Sequence, residues 1–278
     1  MKRKIACLLA CCLAACGDAT LPAYKDATLP VERRVEDLLA RMTTDEKIMQ
    51  VTQWTYGKNM NPHNAEDGMK AVSPLIGSLI YRSPSPVYRN RIQRKAMEES
   101  RLGIPVLFGF DVIHGFRTIF PVPLAQSCSW NLELVCASSA AAAREARLSG
   151  VDWTFSPMVD VARDARWGRV AEGYGEDPLA NARYAVAAIE GYQGDDLAGE
   201  FSIAACLKHY VGYSLSEGGR DYHYSDVSGQ TLWETFMPPF EAGTHAGVAT
   251  VMSAFNDISG IPASANRYTL TTVLKERW

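Results

Sequence analysis

The sequence carries little excess charge: 28 Lys and Arg residues oppose 31 Asp and Glu residues, for a net charge of −3. A chain this close to neutrality gives no reason to expect a nucleic-acid partner. No G-x-G-x-x-G turn follows any predicted strand, so a dinucleotide-binding fold is not indicated. Metal-ligand spacings and phosphate-binding loops are also missing, and we therefore expect neither a metal site nor a cofactor.

Cysteine is scarce beyond the first sixteen residues. Four of the seven cysteines lie in that segment, which leaves Cys128, Cys136 and Cys206 for the rest of the chain. Three widely spaced cysteines make neither a disulfide framework nor a zinc motif. We predict that all three are buried and serve as small apolar side chains.

The apolar run at residues 5–13 follows three basic residues and is too short to span a membrane as a mature helix. The tetrapeptide that ends in Cys16, Leu-Ala-Ala-Cys, resembles a bacterial lipobox. We therefore predict a lipoprotein signal peptide at residues 1–15, lipidation of Cys16 and a tether at residues 16–30. This protein would be anchored by lipid to a membrane, in the periplasm or at the outer membrane of a bacterium. The alternative is a plain signal peptide that happens to contain cysteines.

From residue 31 onward, helix and strand patterns alternate. A helix at residues 31–42 places Val35, Leu38, Leu39 and Met42 on one face. Thr43 and Glu46 have the spacing of a capping box for the next helix. The predicted helices are residues 31–42, 43–53, 87–101, 131–150, 179–193, 230–245 and 268–278. The predicted strands are residues 77–81, 104–110, 151–155, 203–208 and 248–254, with a weaker candidate near residues 50–54.

Repeated strand–helix units favour an α/β fold of the TIM (β/α)8-barrel type over an open sheet, although spacing alone leaves both possible. A barrel needs eight such units, and this chain supplies five or six. We therefore expect residues 31–278 to form a barrel domain that is incomplete, stopping before the last strand–helix units.

The longest predicted loop, at residues 156–177, joins a strand to a helix and is dense in charge. It contains Asp160, Arg169 and Glu172, with Trp167 and Tyr174 as apolar anchors. Long loops inside compact domains are usually functional or disordered. The alternative is a solvated surface loop with internal salt bridges.

Charged residues also follow the other predicted strands. Each has an ordinary explanation, such as a helix cap, a surface charge or a buried core histidine. In a TIM barrel, however, the ends of successive strands meet on one face, where binding residues collect. Acids, bases and aromatic rings without metal or phosphate signatures suit a neutral polyol such as a sugar. The residues in question are Asp111, His114 and Arg117, then Lys208, His209, Glu217, Arg220 and Asp221, then Phe255, Asn256 and Asp257.

Five stretches together resemble the N-terminal barrel domain of glycoside hydrolase family 3, and within it the periplasmic β-glucosidase type. They are PVLFGFDVIHGFRTIFPVPLAQ, FSPMVDVARDARWGRVAEGYGEDP, ACLKHYVGYSLSEGGRDYH, PPFEAGTHAGVATVMSAFNDISGIPASAN and LKERW, which cover most of residues 31–278. The segment KHYVGYSLSEGG differs from the KHFPGHG-type motif of the members that cleave N-acetylglucosamine, which argues against that branch.

The resemblance implies a retaining exo-glycosidase that removes single β-linked glucosyl residues from non-reducing ends, with a β-linked oligosaccharide or glucoside as its partner. Asp111 would bind hydroxyls of the terminal glucose. Met252 and Phe255 would flank the sugar. Five basic residues match positions that line or support the same pocket: Arg117, Arg169, Lys208, His209 and Arg220.

The resemblance also implies that the two catalytic carboxyls lie elsewhere. The family's nucleophile is an Asp on the strand after the helix that ends in ERW, so we expect it beyond Trp278, and the acid/base Glu in a second domain. We accordingly assign no catalytic carboxylate, Asp160 and Asp257 included. The alternatives are a non-catalytic sugar-binding lipoprotein and a β-xylosidase-type member of the same family.

Overall fold

A computed structural model describes residues 21–56, 71–82 and 85–278. The chain divides into two compact units, Met1–Ile48 and Met49–Trp278. The predictions made for residues 1–20, including the signal peptide and the lipidation of Cys16, lie outside the described residues.

The described part of the first unit is helical. Helix α1 (Val31–Arg41) is the predicted amphipathic helix. A single 3₁₀ turn (Ala23–Lys25) precedes it, inside the segment predicted as a tether. The backbone N–H of Tyr24 donates to Asp37 Oδ2 at 3.1 Å, which ties this turn to α1.

Helix α2 (Thr44–Gln50) begins with the predicted capping box. The backbone N–H of Glu46 donates to Thr43 Oγ1 at 3.3 Å, and the backbone N–H of Thr43 donates to Glu46 Oε2 at 2.8 Å. Two of the amides at this helix start are thereby satisfied by side chains. The capping-box prediction is confirmed.

Within the described residues of the second unit, six short strands run parallel in the order of the chain. Strands β1 to β4 form one ladder, and β5 pairs with β6. Isolated parallel bridges between Trp153 and Ala204 and between Met158 and Lys208 join the two ladders. The strands are β1 (Gln53–Tyr56), β2 (Ser78–Tyr81), β3 (Leu107–Phe110), β4 (Trp153–Thr154), β5 (Cys206–Tyr210) and β6 (Thr250–Ser253). This sequential order is that of a barrel, because a doubly wound sheet reverses its strand order part-way.

Helices connect the strands, and their ends agree with the capping signals in the sequence. Asn131 Oδ1 accepts from the backbone N–H of Leu134 at 3.0 Å, and Asp177 Oδ1 accepts from that of Ala180 at 2.7 Å. The helix predicted at residues 230–245 is broken before Pro238, with a π-helical turn on its N-terminal side. The helices are α3 (Pro86–Glu99), α4 (Pro123–Ser127), α5 (Leu132–Leu148), α6 (Pro178–Gln193) and α7 (Pro238–His245). A π-helical segment, Tyr268–Arg277, follows the antiparallel pair β7 (Asp257–Ile258) and β8 (Ile261–Pro262).

The two faces of the sheet are filled differently. On the helix side, small residues let α5 and α6 approach closely: a Cβ at Gly191 would lie 2.3 Å from the carbonyl oxygen of Cys136. On the other face, Trp153 reaches from β4 to β6, where its Nε1 donates to Thr250 Oγ1 at 2.8 Å. Gly109 leaves room for the Trp153 and Phe155 rings on that face.

Three expectations need correction. The strand expected at residues 104–110 is only Leu107–Phe110, and Leu107 is 54% exposed because it lies on the opposite face from buried Phe108. The strand expected at residues 151–155 is only Trp153–Thr154. Of the three cysteines, only Cys206 is buried. Cys136 is half-buried, and Cys128 is exposed because it caps the short helix α4 at the surface.

Candidate functional site

The carboxyl ends of β3 and β5 bring Asp111 and Lys208 together. Lys208 Nζ lies 3.0 Å from Asp111 Oδ1, and the lysine side chain is only 3% exposed whereas that of Asp111 is 55% exposed. A buried ammonium group needs a charged partner, and Asp111 supplies it. Because Asp111 is half open to solvent, it can accept a hydrogen bond from a bound molecule while it neutralises the lysine.

The next residue of β5, His209, is held by a carboxylate from the long loop after β4. Asp160 Oδ2 accepts from both the backbone N–H and the ring Nδ1 of His209, each at 2.9 Å. Both side chains are at most 2% exposed. An ionised carboxylate only accepts, so Nδ1 carries a proton and the orientation of the imidazole is fixed.

The same loop carries an ion pair between Arg169 and Glu172. Arg169 Nε and Nη2 donate to the two carboxylate oxygens of Glu172 at 2.7 and 2.8 Å, the bidentate geometry of a strong charged pair. Burial, the largest single influence, raises the pKa of the Glu172 carboxyl, but the hydrogen bonds from Arg169 and the positive charges of Arg169 and Lys208 together hold that pKa below its ordinary value of 4.5. Trp167 and Tyr174 are buried, as predicted for the anchors of this loop.

A group of aromatic rings borders these polar side chains. Tyr213 is fully buried, and its ring lies 4.9 Å from that of His209 and 5.1 Å from that of Phe255. Its hydroxyl donates to Asp221, and the Arg169 guanidinium lies 5.6 Å from its ring centre. Burial, reinforced by the bond to Asp221, raises the pKa of the Tyr213 phenol, so this hydroxyl stays a neutral donor.

Five of the eight predicted sugar-binding residues lie at or beside this group. They are Asp111, Arg169, Lys208, His209 and Phe255, which is 53% exposed beside His209. Met252 lies on β6, half-buried, three positions before Phe255.

Arg117 and Arg220 contact residues outside the group formed around Asp111, Lys208 and His209. Arg117 donates from Nη2 to Ser149 Oγ at 3.4 Å and from its backbone N–H to Glu145 at 2.8 Å, beside the end of α5 that leads into β4. Arg220 is exposed and lies 3.5 Å from Glu217 in the loop after β5. Both residues therefore contact the loops around the site, and their described contacts do not include Asp111 or Lys208.

Sequence reasoning placed Asp160 and Glu172 in a charged loop and Asp221 after a strand, but gave them no partners. It missed Tyr213 and Tyr222 altogether. Tyr213 belongs to the motif KHYVGY, four residues after His209, so its position beside the histidine could have been a signal. Tyr222 is distinguished only by its backbone conformation, with φ +60 at a non-glycine residue, and the sequence carries no sign of that.

Across residues 21–56, 71–82 and 85–278, no three His, Cys, Asp or Glu side chains are grouped closely enough to hold a metal ion. The same part of the chain contains no helix with the length and apolar character required to cross a membrane.

Residues 43–278 match the sequence profile of the Glycosyl hydrolase family 3 N terminal domain. The chain belongs to glycoside hydrolase family 3. The periplasmic β-glucosidase of Salmonella typhimurium is 37% identical over 246 residues, 88% of this chain and 32% of that protein. A β-xylosidase of Formosa agariphila is 33% identical over 88% of this chain and 30% of that protein.

Solved structures of family 3 enzymes are also similar to this chain. A mutant β-glucosidase from Listeria innocua in complex with laminaribiose has a TM-score of 0.81 and 39% identity, covering 88% of this chain and 36% of that one. The chain thus spans about a third of the length of the relatives it matches. The N-terminal domain of family 3 has a TIM-barrel-like α/β fold, and the sequential parallel strands fit it, which confirms the predicted fold class.

Proposed function

We propose that this chain binds the terminal, non-reducing β-D-glucosyl residue in a retaining exo-β-glucosidase, an enzyme of carbohydrate catabolism. The observation that carries the proposal is the buried Lys208 paired with the half-exposed Asp111, next to the fixed imidazole of His209. This arrangement offers a carboxylate that accepts from sugar hydroxyls and basic groups that donate to them.

Each predicted binding residue has a role in this proposal. Asp111 accepts from hydroxyls of the glucose, while Lys208 and His209 donate to it. Arg169, held by Glu172, gives positive charge to the same side of the site. Phe255 and Met252 flank the sugar. Arg117 and Arg220 act less directly. Arg117 ties the loop after Asp111 to Ser149 at the end of α5, and Arg220 pairs with Glu217 in the segment after β5.

Retaining hydrolysis needs a nucleophilic carboxylate and an acid/base carboxyl roughly 5 Å apart. We assign neither role to a residue of this chain. Asp160 holds His209 in place, and Asp111, paired with Lys208, binds the sugar. The contribution of these residues to catalysis is to hold the glucose in a fixed position, which lowers the entropic part of the barrier.

The substrate class proposed is a β-linked gluco-oligosaccharide or β-glucoside. The similar proteins named β-glucosidase favour it, and the Listeria innocua structure with laminaribiose is consistent with it. Relatives named β-xylosidase, 33% identical, make a β-xyloside the second candidate. A non-catalytic sugar-binding protein is the alternative if hydrolysis is absent.

We propose a periplasmic location, in keeping with the name of the Salmonella typhimurium relative. The lipobox-like Leu-Ala-Ala-Cys sequence supports lipidation of Cys16 and attachment by lipid to a membrane, in the periplasm or at the outer membrane of a bacterium. In this proposal residues 1–15 are the signal peptide, residues 16–30 the tether and residues 31–278 the barrel domain.

The test is hydrolysis by the purified full-length gene product. We expect release of p-nitrophenol from p-nitrophenyl β-glucoside with a higher kcat/KM than from the β-xyloside, and β-glucose as the first product seen by NMR. A higher kcat/KM on the xyloside would favour the xylosidase function. Binding of glucose without hydrolysis of either compound would support the sugar-binding alternative.

A further inference from the structure

Two exposed aromatic side chains lie side by side at the edge of the site. Phe255 is 53% exposed and Tyr222 is 66% exposed. Their ring centres are 5.2 Å apart and the rings are nearly perpendicular, at 82°. Single exposed apolar residues are common on proteins, but contiguous ones beside a polar group mark a binding surface.

Phe255 and Tyr222 differ in whether their rings contact His209. Phe255 contacts the His209 ring at 5.3 Å. Among the ring contacts of the described residues, Tyr222 contacts Phe255 and Tyr213 but not His209. Tyr222 is therefore one ring farther out than Phe255 from the position proposed for the terminal glucose.

The position of Tyr222 is fixed by buried residues. Its φ of +60 is the left-handed conformation, which bulky residues rarely adopt and which persists only where the surroundings impose it. The preceding residue, Asp221, accepts from the hydroxyl of buried Tyr213 and from Nε1 of buried Trp167, the latter at 3.4 Å. The exposed ring of Tyr222 is thus presented on an anchored backbone, as a rigid binding surface requires.

We propose that Tyr222, together with Phe255, binds the second sugar ring of a β-linked disaccharide, next to the terminal glucose. This inference rests on the proposed function for the placement of that first glucose. The apolar face of a pyranose packs against an aromatic ring, and the Tyr222 hydroxyl supplies a polar end for the sugar's hydroxyls. Tyr222 is then a specificity-determining residue that favours disaccharides over small glucosides.

The test compares binding of glucose and of an S-linked laminaribiose, which resists hydrolysis, to the full-length gene product by isothermal titration calorimetry. The variant is Tyr222→Asn, since asparagine tolerates a left-handed backbone and lacks the aromatic ring and its hydroxyl. The matched control is Tyr224→Ala: Tyr224 is 46% exposed in the same loop, but its ring contacts His223. We expect Tyr222→Asn to weaken disaccharide binding about tenfold and to change glucose binding less than about twofold.

Tyr222→Phe keeps the ring and should retain most of the disaccharide affinity, while Tyr224→Ala should match the wild type for both ligands. Equal losses for glucose and disaccharide in Tyr222→Asn, or no loss for either, would overturn the inference. So would a wild-type protein that binds the two sugars equally well.

The experiments can refute the proposed hydrolysis and the second-sugar site independently of each other. A wild-type protein that does not cleave p-nitrophenyl β-glucoside, yet shows the Tyr222-dependent preference for the disaccharide, would refute hydrolysis and keep the second-sugar site. A wild-type enzyme that cleaves the glucoside, with Tyr222→Asn binding the disaccharide as the wild type does, would refute only the site.

Discussion

Lys208 and Asp111 form an ion pair whose two side chains differ in their exposure to solvent. The lysine is buried and the aspartate is half exposed. A buried ammonium without a partner is costly, so Asp111 neutralises Lys208 in the free protein. When a sugar is bound, Asp111 also accepts hydrogen bonds from its hydroxyls. The pair can serve both because a carboxylate accepts several hydrogen bonds at once.

Replacement of Asp111 by Ala tests its role in binding the sugar. We expect kcat/KM of the full-length enzyme on p-nitrophenyl β-glucoside to fall by an amount equivalent to about 2–4 kcal/mol, because a charge-assisted bond to the sugar is lost. The matched control is Asp164→Ala, which removes an aspartate that is ion-paired with Arg166 in the loop after β4. An Asp111→Ala enzyme within about threefold of the wild type would contradict the assignment.

The pH dependence of stability tests the pair of Arg169 and Glu172. The pKa of Glu172 is lowered in the folded protein, so the carboxylate stabilises the fold above its ordinary pKa of 4.5. That contribution is lost as the pH falls through the lower, folded value. We expect Glu172→Gln to cost about 1–2 kcal/mol at neutral pH, measured by urea denaturation, and progressively less below pH ~4.5.

A double-mutant cycle with Arg169→Gln isolates this pair from other effects of the two substitutions. The coupling energy should be present at neutral pH and absent once Glu172 is protonated. A coupling energy that stays constant after Glu172 has been protonated, as followed by NMR, would show that the ion pair is not its source.

Parts of the site were predictable because they lie at or near the carboxyl ends of strands. Asp111 and Lys208 could be predicted to lie together from strand ends alone, since parallel strands present those ends on one face. The partner of His209 could not, because Asp160 is 49 positions away and reaches it from a loop with no repeating pattern. The position of Tyr222 depends on a left-handed backbone, which the residue type itself disfavours.

At the scale of elements, helices were predicted better than strands. Asn131 and Asp177 both cap helices, and this signal is readable from sequence because a capping side chain bonds amides only a few residues away. Strand lengths were overestimated, as at residues 151–155, because an apolar run continues past the last ladder hydrogen bond. The exposure of Cys128 was mispredicted because composition does not say which side of a short helix end meets solvent.

Gly109 in β3 sets how closely the aromatic side chains of the neighbouring strand can pack. A Cβ at this position would lie 2.6 Å from Phe155 Cζ and 3.2 Å from Trp153 Cε3. We expect Gly109→Ala to destabilise the protein by about 1–3 kcal/mol, because the rings must leave their positions to admit the methyl group. The measurement is the midpoint of chemical denaturation.

The matched control is Gly229→Ala. Gly229 begins a helical turn, and a Cβ there would meet no atom within 4 Å. Alanine should be neutral or slightly stabilising at such a position. Equal midpoints for the two variants would mean that the packing around Gly109 relaxes without cost.

At the scale of the whole molecule, sugar binding and attachment to a membrane are assigned to different parts of the chain. The candidate site uses residues from Asp111 to Phe255, on the strands and loops of the second unit. The proposed lipid attachment is at Cys16. A change at Cys16 should therefore alter location while leaving kcat/KM unchanged.

Cys16 is the residue that we expect to carry lipid. A basic, then apolar segment ends in Leu-Ala-Ala-Cys, the pattern of a bacterial lipoprotein signal. Each buried methylene of an acyl chain adds about 0.8 kcal/mol, so two or more chains on one cysteine hold a protein at a membrane surface. We expect the wild type in the membrane fraction and labelled by radioactive palmitate, and Cys16→Ser unlabelled. Cys12→Ser, four residues earlier, should behave as the wild type. Membrane association that is equal in Cys16→Ser and wild type, with palmitate in neither, would rule out lipidation at Cys16.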